Sequence, residues 1–196
     1  MSAAHWLLLV KHSLPEMAAD RPASDWRLGT EGVRRCAWLA AALALYEPAQ
    51  IVASCEPKAA ETAVQVSRLL DVQWQTTMGL HEHERPRAGL LPQSEFERKV
   101  AQLFARPQER VFGAESGAEA GARFATAVAG CLAHSAGQNL IVVAHGTVIT
   151  LLVAAHQPIE PFAFWRTLGL PSVVALRMPG YVLARTVNRP AAGLAA

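Results

Sequence analysis

Trp6-Leu7-Leu8-Leu9-Val10-Lys11-His12-Ser13 is an apolar run that stops abruptly at a cation and an imidazole. Five consecutive apolar residues near the N-terminus read as a β-strand buried on both faces. Lys11 and His12 then lie at its C-terminal end, the edge where ligands bind in open α/β sheets. A second run, Leu140-Ile141-Val142-Val143-Ala144, has the same build and stops at His145-Gly146-Thr147. A third, Ile51-Val52-Ala53, is shorter and stops at Ser54-Cys55-Glu56-Pro57-Lys58.

Helical patterns separate these runs. Val33, Ala37 and Leu39 to Leu45 recur at helical spacing, with Thr30 as N-cap and Pro48 as terminator. Pro57 suits the first turn of a helix that continues to Leu70, and Val72 to Thr76 alternates like a short strand. Further helices are predicted from about Ser94 to Arg106, from a Ser116 cap with Glu119 in the capping-box position to Ala133, and over Val148 to Ala155. Trp165 closes another short helix. Val173 to Met178 and Tyr181 to Val187 flank Pro179-Gly180, the signal of a terminal hairpin. The order predicts an α/β fold: three layers, a mostly parallel central sheet with helices on both faces. Residues 80–116, polar and Pro-broken around His81, Glu82, His83, Glu84, Arg85 and Arg87, read as a small insertion over the active edge. One domain is expected over residues 1–189, with a disordered tail from 190 to 196.

The bulk numbers exclude several classes. With 196 residues, 52% of them hydrophobic and 17% charged, the chain can bury a good-sized core. Its net charge of +2, with no Lys/Arg block, gives no argument for nucleic acid or an anionic membrane surface. Three cysteines (Cys36, Cys55, Cys131), without metal-like spacing, point to free thiols in a reducing compartment. Cys55 lies near a candidate site but is expected to be a small buried hydrophobe. The five tryptophans are expected mostly in the core, with Trp26 a candidate wall of the pocket. No apolar run reaches the length of a membrane span and no signal-peptide pattern opens the chain, so a cytoplasmic protein is expected.

A parallel sheet gathers its strand ends on one edge. Here that edge would collect His12, His145, Lys11, Lys58 and several helix N-termini, the makings of an anion site and most naturally a phosphate site.

In this order, Leu8-Leu9-Val10-Lys11-His12-Ser13, Leu28-Gly29-Thr30-Glu31-Gly32, Ser54-Cys55-Glu56-Pro57-Lys58-Ala59-Ala60-Glu61-Thr62-Ala63, Leu80-His81-Glu82, Gly113-Ala114-Glu115-Ser116 with Arg123, and Val142-Val143-Ala144-His145-Gly146 resemble the motifs of the histidine phosphatase superfamily, also called phosphoglycerate-mutase-like. The likeness spans nearly the whole chain. It implies that His12 attacks phosphorus and becomes a phosphohistidine, with one ring N–H held by a backbone carbonyl. It implies that Lys11, Lys58 and His145 hold the phosphoryl oxygens, with Ser13 and Thr147 as hydroxyl donors. It also implies that Glu82 protonates the leaving oxygen and then activates water; Glu84, Glu16 and Glu115 remain rivals for that part. No cofactor or metal is implied.

The expected activity is therefore phosphomonoester hydrolysis on a small phosphorylated metabolite, by a monomer or homodimer. The short insertion argues against a mutase. Arg21, Arg27, Arg85 and Arg87 are candidate recognition residues. The chain departs from the family at Lys11 and Lys58, where the family has Arg, and at Ser13, where it has Gly. Lys keeps the charge but lacks the planar two-toothed grip of Arg. The competing reading is a weak or silent phosphate-binding protein on the same fold.

Overall fold

In the computed structural model, which describes residues 5–85 and 91–189, the apolar runs form one six-stranded sheet in the order β3-β2-β4-β1-β5-β6. The elements follow the chain as β1 (His5–Lys11), α1 (Thr30–Ala44), β2 (Gln50–Ala53), α2 (Pro57–Leu70), β3 (Trp74–Thr76), α3 (Gln93–Ala105), α4 (Gly117–His134), β4 (Leu140–Ala144), α5 (Gly146–His156), α6 (Pro161–Thr167), β5 (Ser172–Met178) and β6 (Val182–Asn188). β1, β4, β2 and β3 run parallel, whereas β5 pairs antiparallel with both β1 and β6. The sheet is thus mixed, its antiparallel part supplied by the expected C-terminal hairpin. The tail expected at 190–196 and the candidate Arg87 lie outside the described residues.

Side-chain alternation divides the core into two layers. Leu7, Leu9, Leu140 and Val142 face α4 and α5, where they meet Phe124, Val128, Val148 and Leu152. Leu8, Val10, Ile141 and Val143 face α1 and α2, where they meet Cys36, Leu39, Leu43, Ala63 and Val66. Every residue of β4 is buried, as the uninterrupted apolar run requires for a central parallel strand.

Local chemistry sets the boundaries. Pro57 opens α2 as read, and Ser116 and Glu119 form the reciprocal capping box of α4. At α1 the N-cap is Gly29, and Thr30 is already helical. The strand expected from Val72 is confined to Trp74–Thr76, because it is an exposed edge with no apolar face to bury. None of the five tryptophans is fully buried, contrary to expectation, and Trp74 is 38% exposed. Their indole rings cover the margins of the core, where an N–H can reach a partner: Trp26 donates to the Ala18 carbonyl. Cys55 is likewise exposed, its thiol 3.7 Å from the Met78 sulfur, while Cys36 and Cys131 are buried.

A separate aromatic cluster lies outside the two main layers. Val100, Leu103 and Phe104 of α3 pack with Phe96, Phe112, Phe162 and Trp165, joining the 91–112 segment to α6. Among the described residues no helix is long and apolar enough to cross a membrane.

Candidate active site

Neighbouring strands deliver their ends side by side. The backbone ladder continues one residue past the strands: His12 N–H donates to the Ala144 carbonyl and Ser54 N–H to the Val143 carbonyl. His12, His145 and Ser54 therefore meet at the carboxyl edge, and the two imidazole centroids are 5.2 Å apart.

His12 is held by its own loop. Its Nδ1 lies 2.7 Å from the Ser13 carbonyl, so Nδ1 carries the proton and Nε2 keeps a free lone pair. Ser13 is itself fixed from two helices: its N–H donates to Thr62 Oγ1 and its hydroxyl to the Gly32 carbonyl. The close pass of this loop over α1 needs glycine at 32, since a Cβ there would lie 2.0 Å from the Leu14 carbonyl oxygen. The expected phosphate donor Ser13 thus points its hydroxyl into the fold in the empty site. Its hydroxyl is fully buried and committed to Gly32, and its carbonyl orients the His12 ring.

Burial pushes the His12 pKa well below the ordinary imidazole value, and the neighbouring His145, Lys58 and Lys11 push the same way. The ring is neutral at pH 7, as a nucleophile requires. His145 is also held neutral, first by burial and then by the Lys58 charge. Its Nε2 is 3.0 Å from Ser54 Oγ, which accepts from the Glu56 N–H. With that hydroxyl hydrogen turned to Nε2, the proton sits on Nδ1, a buried atom with no partner among the described residues.

The cations are less free than their positions in the sequence suggest. Lys11 Nζ donates to the Leu168 carbonyl at 2.7 Å and stands 5.9 Å from the Trp165 ring centroid. Burial lowers its pKa to about 8, partly offset by Glu82. Lys58 Nζ donates to the Ala23 carbonyl at 2.6 Å and forms a buried ion pair with Glu56 Oε2. The other Glu56 oxygen accepts from the Glu82 N–H at 2.8 Å and lies 3.7 Å from His145 Nε2. Glu56 is a site residue that sequence reading missed. The sole available signal was its place two residues before Lys58, with Pro57 turning the chain so that both side chains face one way.

Glu82 presents its carboxylate to the N-terminus of α5. Oε2 accepts from the Thr147 N–H at 3.2 Å and pairs with Arg85 Nη2 at 3.3 Å, while Oε1 accepts from the His83 N–H. Burial alone raises its pKa, but Arg85, His145 and these two N–H groups together outweigh burial and leave it lowered. Arg123 anchors the loop beneath, donating to the carbonyls of Gly79, His81 and Glu82 while gripping Glu115 with two nitrogens. The rival carboxyls are thereby accounted for. Glu115 is tied to Arg123, Glu84 is about half exposed and pairs with His81, and Glu16 is exposed.

Thr147 is buried, its hydroxyl 3.4 Å from Arg85 Nη2. Arg85 lies over the rings of Phe96 and Phe112, with centroid distances of 4.8 and 5.7 Å. Arg21 and Arg27 are not brought to this edge; they form exposed pairs with Asp20 and Glu61.

The profile of the histidine phosphatase superfamily (branch 1) matches residues 7–182. The chain belongs to the histidine phosphatase superfamily. Solved structures agree at the level of fold. A phosphoserine phosphatase from Entamoeba histolytica, solved with 3-phosphoglyceric acid, superposes with a TM-score of 0.76 at 16% identity, covering 94% of this chain and 98% of that one. A mycobacterial glucosyl-3-phosphoglycerate phosphatase gives 0.69 at 22% identity, covering 94% and 96%. A phosphoglycerate mutase from Bacillus anthracis gives 0.70 at 17% identity, covering 93% and 92%. No curated protein matches the sequence significantly. The family and these neighbours support a phosphatase in the broad sense and include a mutase.

In this superfamily member the buried Lys11 charge works against folding. With a folded pKa of about 8 against 10.5 in the unfolded chain, the penalty is complete below pH 8. It fades as pH rises from 8 toward 10.5, because the unfolded chain then binds more protons than the folded one. Lys11→Met is expected to stabilise the empty protein by about 1–2 kcal/mol at pH 7, less at pH 10, read as a higher Tm. A fall in Tm at both pH values would refute that account.

Proposed function

We propose that this protein is a metal-independent phosphomonoesterase that hydrolyses a small phosphorylated metabolite through a phosphohistidine on His12. The observation that carries the reading is the state of His12: neutral, Nδ1 held by the Ser13 carbonyl, Nε2 unencumbered at a cation-lined edge beside His145 and Glu82.

Nε2 attacks phosphorus in line with the ester oxygen. The N–P bond forms as the P–O bond breaks, and the leaving oxygen takes a proton from Glu82. Glu82 is ionised in the empty site, but a monoester monoanion brings the missing proton. Monoanion with carboxylate and dianion with carboxylic acid contain the same number of protons, and a phosphoryl dianion next to Glu82 favours placing one on the carboxyl. After the alcohol departs, Glu82 takes a proton from water as its oxygen attacks phosphorus. The N–P bond then breaks, inorganic phosphate leaves, and His12 is regenerated. Lys11, Lys58, His145 Nδ1–H and Thr147 offset charge on the non-bridging oxygens.

Hydrolysis is preferred over mutase transfer on the modest size of the 80–116 insertion. The second reading, a silent phosphate-binding protein, rests on Lys11 and Lys58: they keep the positive charge but lack the planar fork of the family's Arg.

Chemical quenching separates the two. Incubation with a ³²P-labelled monoester should give an acid-labile, alkali-stable label on the chain together with released phosphate. Phosphate binding without label or turnover across a substrate panel would leave only the binding-protein reading.

A further inference from the structure

Two cations at this edge are already committed. Lys58 is paired with the Glu56 carboxylate and the Ala23 carbonyl, and Lys11 is bonded to the Leu168 carbonyl. The ammonium groups are also point charges, without the fork that matches two phosphoryl oxygens. The guanidinium of Arg85 differs on each count. Its carbon stands 4.8 Å from the Phe96 and 5.7 Å from the Phe112 ring centroid, contacts that hold the group without using a donor. Its Nη2 contacts, 3.3 Å to Glu82 and 3.4 Å to Thr147, are long, and its Nε has no partner among the described residues. Both contacts lead to the groups around His145, whose ring centroid is 5.2 Å from that of His12: Glu82 and the first turn of α5, whose N-cap is His145.

Resting on the phosphatase reading, we propose that Arg85 is the principal phosphoryl-gripping cation of this site, supplying from the 81–85 loop the fork that Lys11 and Lys58 lack, while Glu56 holds Lys58 in reserve. The arrangement also couples binding to acid catalysis. In the empty site Arg85 keeps Glu82 ionised. When Arg85 turns its donors to phosphoryl oxygens, Glu82 loses that support beside a new negative charge and binds the proton the leaving oxygen needs. Glu56 acts on the same balance from the other side, because it neutralises a cation that would otherwise bind phosphate. Its removal therefore releases Lys58 to the anion.

Orthovanadate binding to the full chain, followed by calorimetry at pH 7, tests this without depending on the natural substrate. Arg85→Ala is expected to weaken vanadate binding roughly 100-fold, and Arg85→Lys to restore only a minor part of the loss. Glu56→Gln is expected to tighten binding about 10-fold. Combined with Arg85→Ala, it should recover part of the lost affinity through the released Lys58. Circular dichroism melts on each variant establish that it is folded; should Arg85→Ala fail to fold, Arg85→Lys carries the comparison. Wild-type binding with Arg85→Ala (or, if that is unfolded, Arg85→Lys) within about threefold of it overturns the proposal alone, as does a Glu56→Gln variant that binds more weakly. No vanadate binding by the wild type overturns the phosphatase reading as well.

Discussion

His12→Ala is expected to remove phosphoenzyme labelling and to lower kcat by roughly 10⁴–10⁶-fold, the range seen when an activated nucleophile is deleted. The size of the effect follows from how much structure serves this one ring. Thr62 and Gly32 fix Ser13, the Ser13 carbonyl fixes Nδ1–H, and burial with neighbouring positive charge keeps Nε2 unprotonated. None of that preparation can be passed to another side chain. His145 is bonded to Ser54 through Nε2 and, on the tautomer this implies, offers a donor rather than a lone pair at Nδ1. Since His12 is only 7% exposed, an Ala leaves a cavity, so His12→Asn serves as the partner variant of nearer size. Both should remain folded by thermal melt and both should lack label. Persistence of an acid-labile phosphoryl group in either variant would remove His12 from the nucleophile's role.

Strand ends were legible in the sequence because each apolar run stops sharply at a polar residue, and the ends of parallel strands share an edge. That logic brought His12, His145 and Lys58 together without knowledge of any contact. It said nothing about which way a side chain at that edge is committed. Ser13 was expected to donate to phosphate on the family likeness alone; the close pass over Gly32, which depends on the packing of α1, claims its hydroxyl instead. Glu56 was passed over because its role is relational. It matters only through Lys58, the Glu82 N–H and His145, which come from separate points of the chain. Arg85 stood out as a charge, but the rings that hold it belong to α3 and to the loop before α4, and no local pattern joins those to residue 85. The tryptophans failed for another reason: the main layers are filled by aliphatic side chains of β1 and β4, leaving the large rings only the margins.

Glu82→Gln is expected to slow alkyl phosphomonoesters by about 10²–10⁴-fold while slowing formation of the phosphoenzyme from an activated aryl ester by less than about tenfold. Gln keeps one acceptor oxygen, so one of the two N–H bonds, from Thr147 or from His83, survives, and the loop stays anchored through Arg123. What it loses is the exchangeable proton. An alkoxide leaving group needs that proton as the P–O bond breaks; a nitrophenolate does not. The second half-reaction separates the roles further, because water attacking phosphohistidine has lost its base with either substrate. Phosphohistidine should therefore accumulate in Glu82→Gln supplied with the aryl ester, even though release of the phenol begins nearly as fast as in the wild type. The pH profile carries an independent sign. The productive wild-type complex holds one proton shared between substrate and Glu82, whose own pKa is lowered. Its kcat/KM for an alkyl ester should fall as pH rises past the second ionisation of the substrate, roughly pH 6. In Glu82→Gln that alkaline limb should flatten. Equal slowing of alkyl and aryl esters, with no build-up of phosphohistidine, would take the acid–base role from Glu82 and pass it to Glu56, the other carboxylate within reach of His145.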